Sequence, residues 1–342
     1  MSKKFNLINR GNRMKTICYY HDDADGILSA ALVNYYVKGE KKFISSSYGI
    51  EINWEDIGLD DTVYIVDFSF SPHDMDKLCL VAENVIWIDH HVSAINDWEA
   101  HLKSMREKFP GYKDVDGLRK VGVAGCQLTE QFFYNLPNKN SINNRINKPW
   151  TKGSDCSELV ETIGTYDVWN KENPNVSFDR AYKCMLGFIG RFTSPESEGL
   201  IDFFMVEHPW SMVEDLYEEG RCIDRYLNGF QNKKITKNAF ETKLFGKKAI
   251  VVNTPLKGSG PLIDIYNDGN YDIMCVFFFN GKYWEYSFYT EKENINCAYI
   301  CKNLAKDDTK IGGGHKKAAG CSLTYNLFSN GFSTFGNIDK VE

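Results

Sequence analysis

The chain has 342 residues, of which 43% are hydrophobic and 25% charged, and its mean hydropathy is −0.40. These values exclude a disordered or fibrous protein, and the length is sufficient for two domains, each with its own core. Forty Lys and Arg against 46 Asp and Glu give a net charge of −6. That balance argues against a protein whose whole surface clamps nucleic acid, because such domains are strongly basic.

The N-terminal residues are basic but no apolar segment follows them, so we expect no secretory signal. No run approaches 18 consecutive apolar residues, and the ten cysteines are scattered without a C-x-x-C pair. These features predict a cytoplasmic protein with reduced, buried thiols rather than a zinc site.

Short apolar strands alternate with helices in the first part of the chain. Strands are predicted at 16–20, 43–48, 63–68 and 85–90, and helices at 27–37 and, after Ser71-Pro72, at 73–84. Apolar strands separated by helices predict a parallel sheet that is covered on both faces. Ligands of such sheets bind at the carboxyl ends of the strands.

The middle of the chain has weaker patterns. A less regular segment is expected from about 92 to 155, apart from a helix at 122–136. Further helices are predicted at 156–169 and across about 196–230. The last part predicts strands at 247–254, 271–280 and 283–290, a helix at about 296–305 and a glycine-rich turn at 312–314. Asn280-Gly281 joins two of these strands as a hairpin, which completes a small α+β unit.

Side chains that commonly bind metals follow the predicted strands of the first part. They are His21, Asp23 and Asp25 after the first strand, Asp67, the run Asp89, His90 and His91, and Asp167 at the end of the helix at 156–169. Strand ends lie side by side in a parallel sheet, so we expect these groups to converge. Converging carboxylates repel one another, which predicts a cation among them.

The donor types indicate which cation to expect. Asp and His ligands without thiolate suit Mn²⁺ or Mg²⁺ better than a structural zinc. Four aspartates match the charge of two divalent ions, and two ions about 4 Å apart form a clamp for in-line attack on a phosphate. Each short motif alone has a structural interpretation, as a turn or a helix cap. Their occurrence together at successive strand ends favours a metal centre.

Five motifs resemble those of the DHH phosphoesterase superfamily, in the branch with a DHHA1 C-terminal domain that includes oligoribonuclease, nanoRNase and RecJ-related proteins. They are HDDADGILSAAL, VYIVDFSF, VIWIDHH, IGTYDVWN and IGGGHKKAAGCSL, which together span roughly residues 16 to 325. The resemblance implies an α/β fold: an N-terminal doubly wound, mainly parallel sheet (the DHH domain), a helical linker, a smaller α+β DHHA1 domain, and an active site in the cleft between the domains. The expected bounds are 14–195, 196–235 and 236–328, with a C-terminal tail at 329–342.

The same resemblance implies two Mn²⁺ ions, with Mg²⁺ as an alternative, and a role for each matching residue. Asp89 would orient the histidine pair, and His91 would contact the scissile phosphate. Backbone amides of Gly312, Gly313 and Gly314, with His315, would hold a phosphate or the end of a nucleotide. The implied metal ligands are His21 and Asp25 for one ion with Asp23 nearby for the second, Asp67 bridging both, and His90 and Asp167 on the second.

Tyr289 departs from the family pattern. Members commonly carry an arginine on the strand before the GGGH segment, and this chain has Tyr289 there. Tyrosine donates one hydrogen bond and can stack on a base, but it lacks a charged bidentate fork, so the substrate class stays open. Most aromatic side chains are expected in the cores, whereas Tyr166, Trp169 and Tyr289 are candidates for stacking on a base.

Together these features predict a Mn²⁺-dependent phosphodiesterase that hydrolyses short oligonucleotides by a two-metal mechanism. The expected partner is a short single-stranded oligonucleotide or dinucleotide, with no membrane, and a homodimer stays open. Residues 231–320 carry a net charge of +5 and the rest of the chain −11, which fits a basic unit facing an acidic centre. The alternatives are a cyclic or linear dinucleotide phosphodiesterase, a RecJ-like single-strand DNA exonuclease, and a catalytically inactive nucleotide-binding protein.

Overall fold

In the part of the chain that the structure describes, two separate β-sheets are present, one of four strands and one of six. The computed structural model describes residues 14–47, 50–135, 157–205, 210–231, 235–255, 259–260, 262–309 and 311–328. The predicted C-terminal tail at 329–342 and most of the expected irregular segment after 135 lie outside these residues. A parallel sheet with helices, followed by a smaller mixed unit, is the arrangement that the sequence predicts.

The first sheet is entirely parallel. Its strands are β1 (Lys15–His21), β2 (Glu40–Ser46), β3 (Thr62–Val66) and β4 (Asn84–Ile88). Their spatial order is β2-β1-β3-β4, so the chain moves outward in one direction from β1 to β2 and in the other from β1 through β3 to β4. The crevice at such a reversal, between β1 and β3, is where doubly wound sheets bind their ligands.

Helices cover both faces of the first sheet. They are α1 (Ala24–Tyr36), α2 (Pro72–Val81), α3 (Val92–Lys108), α4 (Gly125–Asn135), α5 (Glu158–Asp167), α6 (Phe178–Arg191), α7 (Asp202–Met205) and α8 (Trp210–Tyr226), which continues as a π-helical turn at Leu227–Gln231. Alternate side chains of β1 enter different cores. Cys18 packs with residues of α1 and α4, and Ile17 packs with residues of α2 and α3.

The segment after residue 92 is more regular than predicted, because α3 is a 17-residue helix. The buried residues of this helix are only Trp98 and Leu102, so its apolar stripe is narrow and its sequence pattern weak. Farther along, the chain runs beside β4. Trp87 N–H donates to the Asp116 carbonyl at 2.8 Å and Asp89 N–H donates to the Leu118 carbonyl at 3.0 Å. These bonds cover the edge of the first sheet.

The segment expected as a linker packs with the first sheet's helices. Val213 and Leu216 of α8 are buried in the same core as Cys184 and Phe188 of α6. Helix α6 itself lies where the sequence predicts no element. The N-terminal unit of the structure, defined by this shared core, therefore extends through α8. The boundaries at 195 and 235 stay predictions.

The second sheet is mixed and forms the C-terminal unit. Its strands are β5 (Phe240–Leu244), β6 (Lys247–Asn253), β7 (Ile273–Phe279), β8 (Trp284–Tyr289), β9 (Gly312–Gly314) and β10 (Ala318–Leu323), in the order β5-β6-β7-β8-β10-β9. Helices α9 (Ile263–Gly269) and α10 (Cys297–Ala305) pack on opposite faces. The glycines predicted as a turn are instead the edge strand β9, because they pair antiparallel with β10.

Two further observations concern the expected thiols and membrane contact. Seven of the nine cysteines in the described part of the chain are buried, Cys79 and Cys222 are exposed, and all nine are free thiols. In the same part of the chain, every helix is too short or too polar to cross a bilayer.

Candidate metal centre

Three neighbouring strands bring the predicted ligands to the carboxyl-terminal edge of the first sheet, which we call the rim. His21 ends β1, Asp67 directly follows β3, and Asp89 and His90 follow β4. His90 Nε2 lies 2.9 Å from Asp67 Oδ1, and His21 Nδ1 lies 3.9 Å from Asp67 Oδ2. Asp67 therefore occupies the middle of the cluster, between two histidines from the strands on either side.

Asp67 has an unusual backbone conformation that follows from this position. Its φ is 51°, in the left-handed region, which costs a residue with a side chain about 1–2 kcal/mol. Its N–H donates to the Ile88 carbonyl at 2.8 Å, and the residue is buried. Strained backbone of this kind concentrates at functional sites.

Gly125 is part of the centre, although sequence reasoning did not single it out. A Cβ atom at this position, where α4 begins, would lie 2.6 Å from the Asp67 Cβ and 3.0 Å from Asp25 Oδ2. No side chain fits there unless the carboxylates move. A glycine at the start of a predicted helix was the available signal, but it is too common to identify a site.

The two aspartates after β1 turn to opposite sides. Asp23 caps α1, since its Oδ1 accepts from Gly26 N–H at 3.0 Å, while its Oδ2 lies 2.6 Å from His21 Nδ1. Asp25 belongs to the first turn of α1 and accepts two amides of α4, from Gly125 at 2.6 Å and Cys126 at 2.8 Å. Amides at a helix N-terminus orient a carboxylate and stabilise its charge.

The ligand atoms form four groups, each within 4.8 Å, and two of these groups separate Asp23 from Asp25. Their division differs from the expected one, which assigned Asp25 to the ion of His21 and Asp23 to the second ion. The difference arises because Asp23 is the cap of α1 and contacts His21, whereas Asp25 is the second residue of the helix and contacts the amides of α4. The two groups are His21, Asp23 and Asp67, and Asp25, His90 and Asp167; the other two are Asp67, Asp89 and His91, and His90, His91 and His315.

Asp89 contacts the histidine pair as expected for an orienting residue. Its Oδ1 accepts from the backbone N–H of His90 at 2.7 Å and of His91 at 3.2 Å, and lies 2.7 Å from His91 Nδ1. His90 Nε2 instead lies 3.4 Å from Asp167 Oδ2. The imidazole rings of His90 and His91 are inclined to each other by 66°, so these adjacent side chains face different parts of the rim.

His315 reaches the rim from the second sheet. Its ring stacks on His91, with centroids 4.8 Å apart and an angle of 24°, and lies 4.7 Å from the ring of His90. Strand β9 also approaches the first turn of α3, where a Cβ on Gly313 would lie 3.1 Å from Ser93 Oγ. The two units therefore meet directly over the metal ligands.

The glycine strand does not present the row of three amides that we expected. His315 N–H donates to the Ala318 carbonyl at 2.7 Å, and Ser322 N–H donates to the Ile311 carbonyl at 2.9 Å. In an antiparallel pair, alternate residues exchange these bonds, so the amide of Gly313 faces β10 while those of Gly312 and Gly314 face away from it. The structure thus offers alternate amides rather than three in succession.

Tyr289 lies on the face of the second sheet that α9 covers. It pairs with Met274 of β7 and Ala318 of β10 and packs against the core beneath α9. Burial, followed by Tyr182 and Tyr289, raises the pKa of Tyr166. Tyr289 is therefore a partly buried side chain at the edge of the C-terminal unit's core.

Electrostatics indicate that the rim needs a cation. Burial, followed by Asp25, Asp23 and Asp167, raises the pKa of Asp67 well above its usual value, and burial with Asp25 and Asp23 does the same for the pKa of Asp167. Burial also acts to raise the pKa of Asp23, but the contacts with His21 and Gly26 outweigh it and the pKa is lowered. A divalent ion reverses such carboxylate repulsion.

The residues present fit such ions. Within the described ranges, the buried atom Asp167 Oδ2, which faces His90 Nε2 in one of the ligand groups, has no hydrogen bond, and a buried polar atom without one is costly. All donors are carboxylate oxygens or imidazole nitrogens, the set that suits Mn²⁺ and Mg²⁺. The rim can therefore hold metal ions between the His21 and His90 sides.

Comparison with known proteins supports the fold. No protein-family model and no curated protein matches the chain. Among solved structures, it is similar to the DHH domain of a member of a family of ribosomal proteins, with 13% identity and a TM-score of 0.58 over 93% of this chain and 84% of that one. It also aligns with RecJ in complex with Mn²⁺ from Thermus thermophilus, with 14% identity and a TM-score of 0.49 over 90% of this chain and 49% of that one. The first likeness confirms the architecture that the motifs predict: the chain has the fold of the DHH proteins.

Proposed function

We propose that the protein is a phosphodiesterase that hydrolyses short oligonucleotides with two divalent ions, preferentially Mn²⁺. The observation that carries this proposal is the convergence of six Asp and His side chains, with Asp67 among them, beneath His315 of the other unit. Metal centres built only from carboxylates and imidazoles at a sheet's ligand-binding edge suit phosphoester hydrolysis.

Bound divalent ions would supply an activated water and neutralise charge that develops on the phosphoryl oxygens. Asp67, between the two ligand groups, is the residue that would serve both ions. Asp89 contacts His91 Nδ1 at 2.7 Å, which fixes the ring and its tautomer. We assign His91 to the scissile phosphate, the role that the resemblance of the motifs implies.

His315 adds a group from the second unit. Burial, followed by the neighbouring His91 and His90, lowers its pKa well below the usual value, so the imidazole is neutral at pH 7. A neutral imidazole can donate one hydrogen bond to a phosphate oxygen without bringing a positive charge close to the metal ligands. This role replaces the one expected for a row of glycine amides.

The arrangement of the two units supports a short substrate. Lys302 of α10 pairs with Asp97 of α3 at 2.7 Å, and Lys171 pairs with Glu291 at 3.0 Å, so ion pairs join the units on two sides of the centre. A substrate held at the metals must lie between the units, which favours chains of a few nucleotides over a long strand.

A substrate panel tests the proposal. The protein is incubated with Mn²⁺ and 5′-phosphorylated RNA of two to five nucleotides, longer RNA and DNA, a cyclic dinucleotide and pyrophosphate, and the products are separated by chromatography. We expect turnover of the short RNAs, and its loss in EDTA. Cleavage confined to long single strands would favour a RecJ-like exonuclease, and cleavage confined to the cyclic compound would favour a cyclic dinucleotide phosphodiesterase. Binding without turnover would indicate an inactive nucleotide-binding protein.

A further inference from the structure

A cavity of about 680 Å³ lies where the N-terminal unit, the end of α8 and the C-terminal unit meet. One wall is aromatic and consists of Tyr166, Trp169, Phe178 and Tyr182. The opposite wall comes from the segment at the start of α9 and from Glu291. Tyr166 directly precedes the metal-ligand candidate Asp167, so the last turn of α5 carries residues of both the cavity and the rim.

The aromatic side chains form a continuous surface rather than a closed core. The Trp169 ring lies 4.8 Å from the Phe178 ring and 6.1 Å from the Tyr166 ring, and Tyr166 lies 5.6 Å from Tyr182. Trp169 nevertheless keeps 39% of its surface exposed. Large aromatic side chains dominate cores and binding interfaces, so one that is half open inside a cavity is available for a ligand.

The backbone holds Trp169 in place at a cost. Its φ is 56°, in the left-handed region, at the end of α5 where Asn170 N–H donates to the Thr165 carbonyl at 2.9 Å. Glycine is the usual residue at such a helix end, because it alone adopts this conformation without strain. A tryptophan that is both strained and half exposed is difficult to explain by packing, and strain of this kind is typical of ligand sites.

The charged groups at this cavity stand at the edge of the aromatic wall and leave its face to an uncharged ring. Lys171 Nζ lies 5.2 Å from the Trp169 ring centre and 3.0 Å from Glu291 Oε1 across the two units. Lys237 adds a second cation, so the lining residues carry one more positive than negative charge. An aromatic wall with lysines at its edge suits a flat ring that is attached to a phosphate.

We propose that this cavity binds the nucleobase of a nucleotide whose phosphate lies at the metal centre, with the base stacked on Trp169. This inference rests on the proposed function and names the part of the substrate that the second site recognises. Stacking tolerates all four bases, because every base has an aromatic face. The cavity would therefore accept short oligonucleotides of varied sequence.

Calorimetric titration of the Mn²⁺-loaded protein with AMP and with ribose 5-phosphate tests the proposal. The two ligands share a phosphate and differ in the base, and we expect AMP to bind at least about 10-fold more tightly. Trp169→Ala should remove most of this difference while ribose 5-phosphate binds as before, and Trp169→Phe should restore most of it. The matched control is Tyr325→Ala, which removes an aromatic side chain with 42% exposure elsewhere on the C-terminal unit and should change neither affinity.

Three results would overturn the proposal. They are equal affinities of the wild type for AMP and ribose 5-phosphate, an unchanged affinity of Trp169→Ala for AMP, and equal weakening of both ligands by Trp169→Ala. The first comparison uses the wild type alone, so it decides the question even if the alanine variant fails to fold. AMP has no phosphodiester bond, so under the proposed function it is a product and not a substrate, and base-selective binding is read independently of activity. Absence of turnover in the substrate panel would contradict the proposed function and leave this result standing.

Discussion

The two units contribute to one cleft in opposite ways. The N-terminal unit places buried carboxylates and imidazoles at the ends of β1, β3 and β4, where their mutual repulsion needs a cation. The C-terminal unit places a strand of three glycines and one neutral histidine against them, in a segment with a net charge of +5. One side is thus built from reactive groups, and the other from small residues that allow close approach.

This difference separates the expected consequences of mutation. Changes at the carboxylate rim should affect metal binding and catalysis together, because the same atoms serve both. Changes on the glycine side should affect substrate handling and leave the metal centre intact. Four predictions test this division, and each could contradict it.

Asp67→Ala should have the largest effect. Loss of the shared carboxylate removes several kcal/mol of transition-state stabilisation, which corresponds to a fall of about 10³-fold in kcat. Mn²⁺ affinity, measured by calorimetry, should fall as well. Asp60→Ala, at an exposed acid between β2 and β3, is the matched control. Retained Mn²⁺-dependent turnover in Asp67→Ala would remove this rim as the catalytic centre.

His315→Ala should lower kcat/KM by about 10²-fold, the scale for loss of one hydrogen-bond donor to a developing oxyanion. Mn²⁺ affinity should not change, because we assign His315 to the substrate. Steady-state kinetics and metal titration of the same preparation measure both quantities. A parallel loss of Mn²⁺ affinity would instead indicate that His315 is a metal ligand. It would contradict the assignment of metal binding to the N-terminal unit and substrate binding to the C-terminal unit.

The pH dependence of stability should have opposite signs for the pair Asp67 and Asp167 and for His315. The raised pKa values of Asp67 and Asp167 mean that the folded, metal-free protein holds protons that the unfolded chain releases. Their contribution is fully present below the ordinary aspartate pKa of 3.8 and is lost as the pH rises through the folded pKa values, by up to about 1.4 kcal/mol per pH unit for each proton. His315, with a lowered pKa, contributes stability above pH 6.5 that is lost as the pH falls below that value.

Urea denaturation in EDTA across pH 4.5 to 8 measures both effects. Relative to the wild type, Asp67→Asn should lose less stability as the pH rises, and His315→Gln should lose less as the pH falls. Added Mn²⁺ should reduce the loss of wild-type stability as the pH rises, because the cation replaces the protons on the carboxylates. If the free energy of unfolding depends on pH identically in all three proteins, folding does not shift the pKa values of Asp67 and His315.

Lys302→Ala should have the smallest effect. The Lys302–Asp97 ion pair joins α10 to α3, but both side chains are about half exposed, and such pairs contribute less than about 1 kcal/mol. We expect KM to rise no more than a few-fold, with kcat unchanged and the difference reduced in high salt. A large change in kcat would show that this contact controls how the units meet.

Much of the metal centre could be predicted from the sequence, because the ligands follow apolar strands and parallel strands share one ligand-binding edge. His21, Asp67 and the Asp89-His90-His91 run needed only that rule. The contacts of Asp23 and Asp25 differ from the expected grouping, because a shift of two positions at the start of a helix turns a side chain to another neighbour.

Other features depend on contacts that leave little trace in the sequence. Helix α3 buries only Trp98 and Leu102, so its periodicity is weak. Strand β9 consists of glycines, which favour a turn when considered alone and become a strand only because β10 is available to pair with them. The approach of His315 to His91 depends on how the two units meet, which no local pattern encodes.

The order of the ligands along the chain has a consequence for synthesis. The first lies at residue 21 and the last at residue 167, and the core that supports them continues to Leu216. All of these residues leave the ribosome before the first strand of the second sheet at Phe240. These six proposed ligands are therefore all available to bind ions while the C-terminal unit is still being translated. Because metal binding is coupled to folding, the cation then favours the native N-terminal unit before its partner exists.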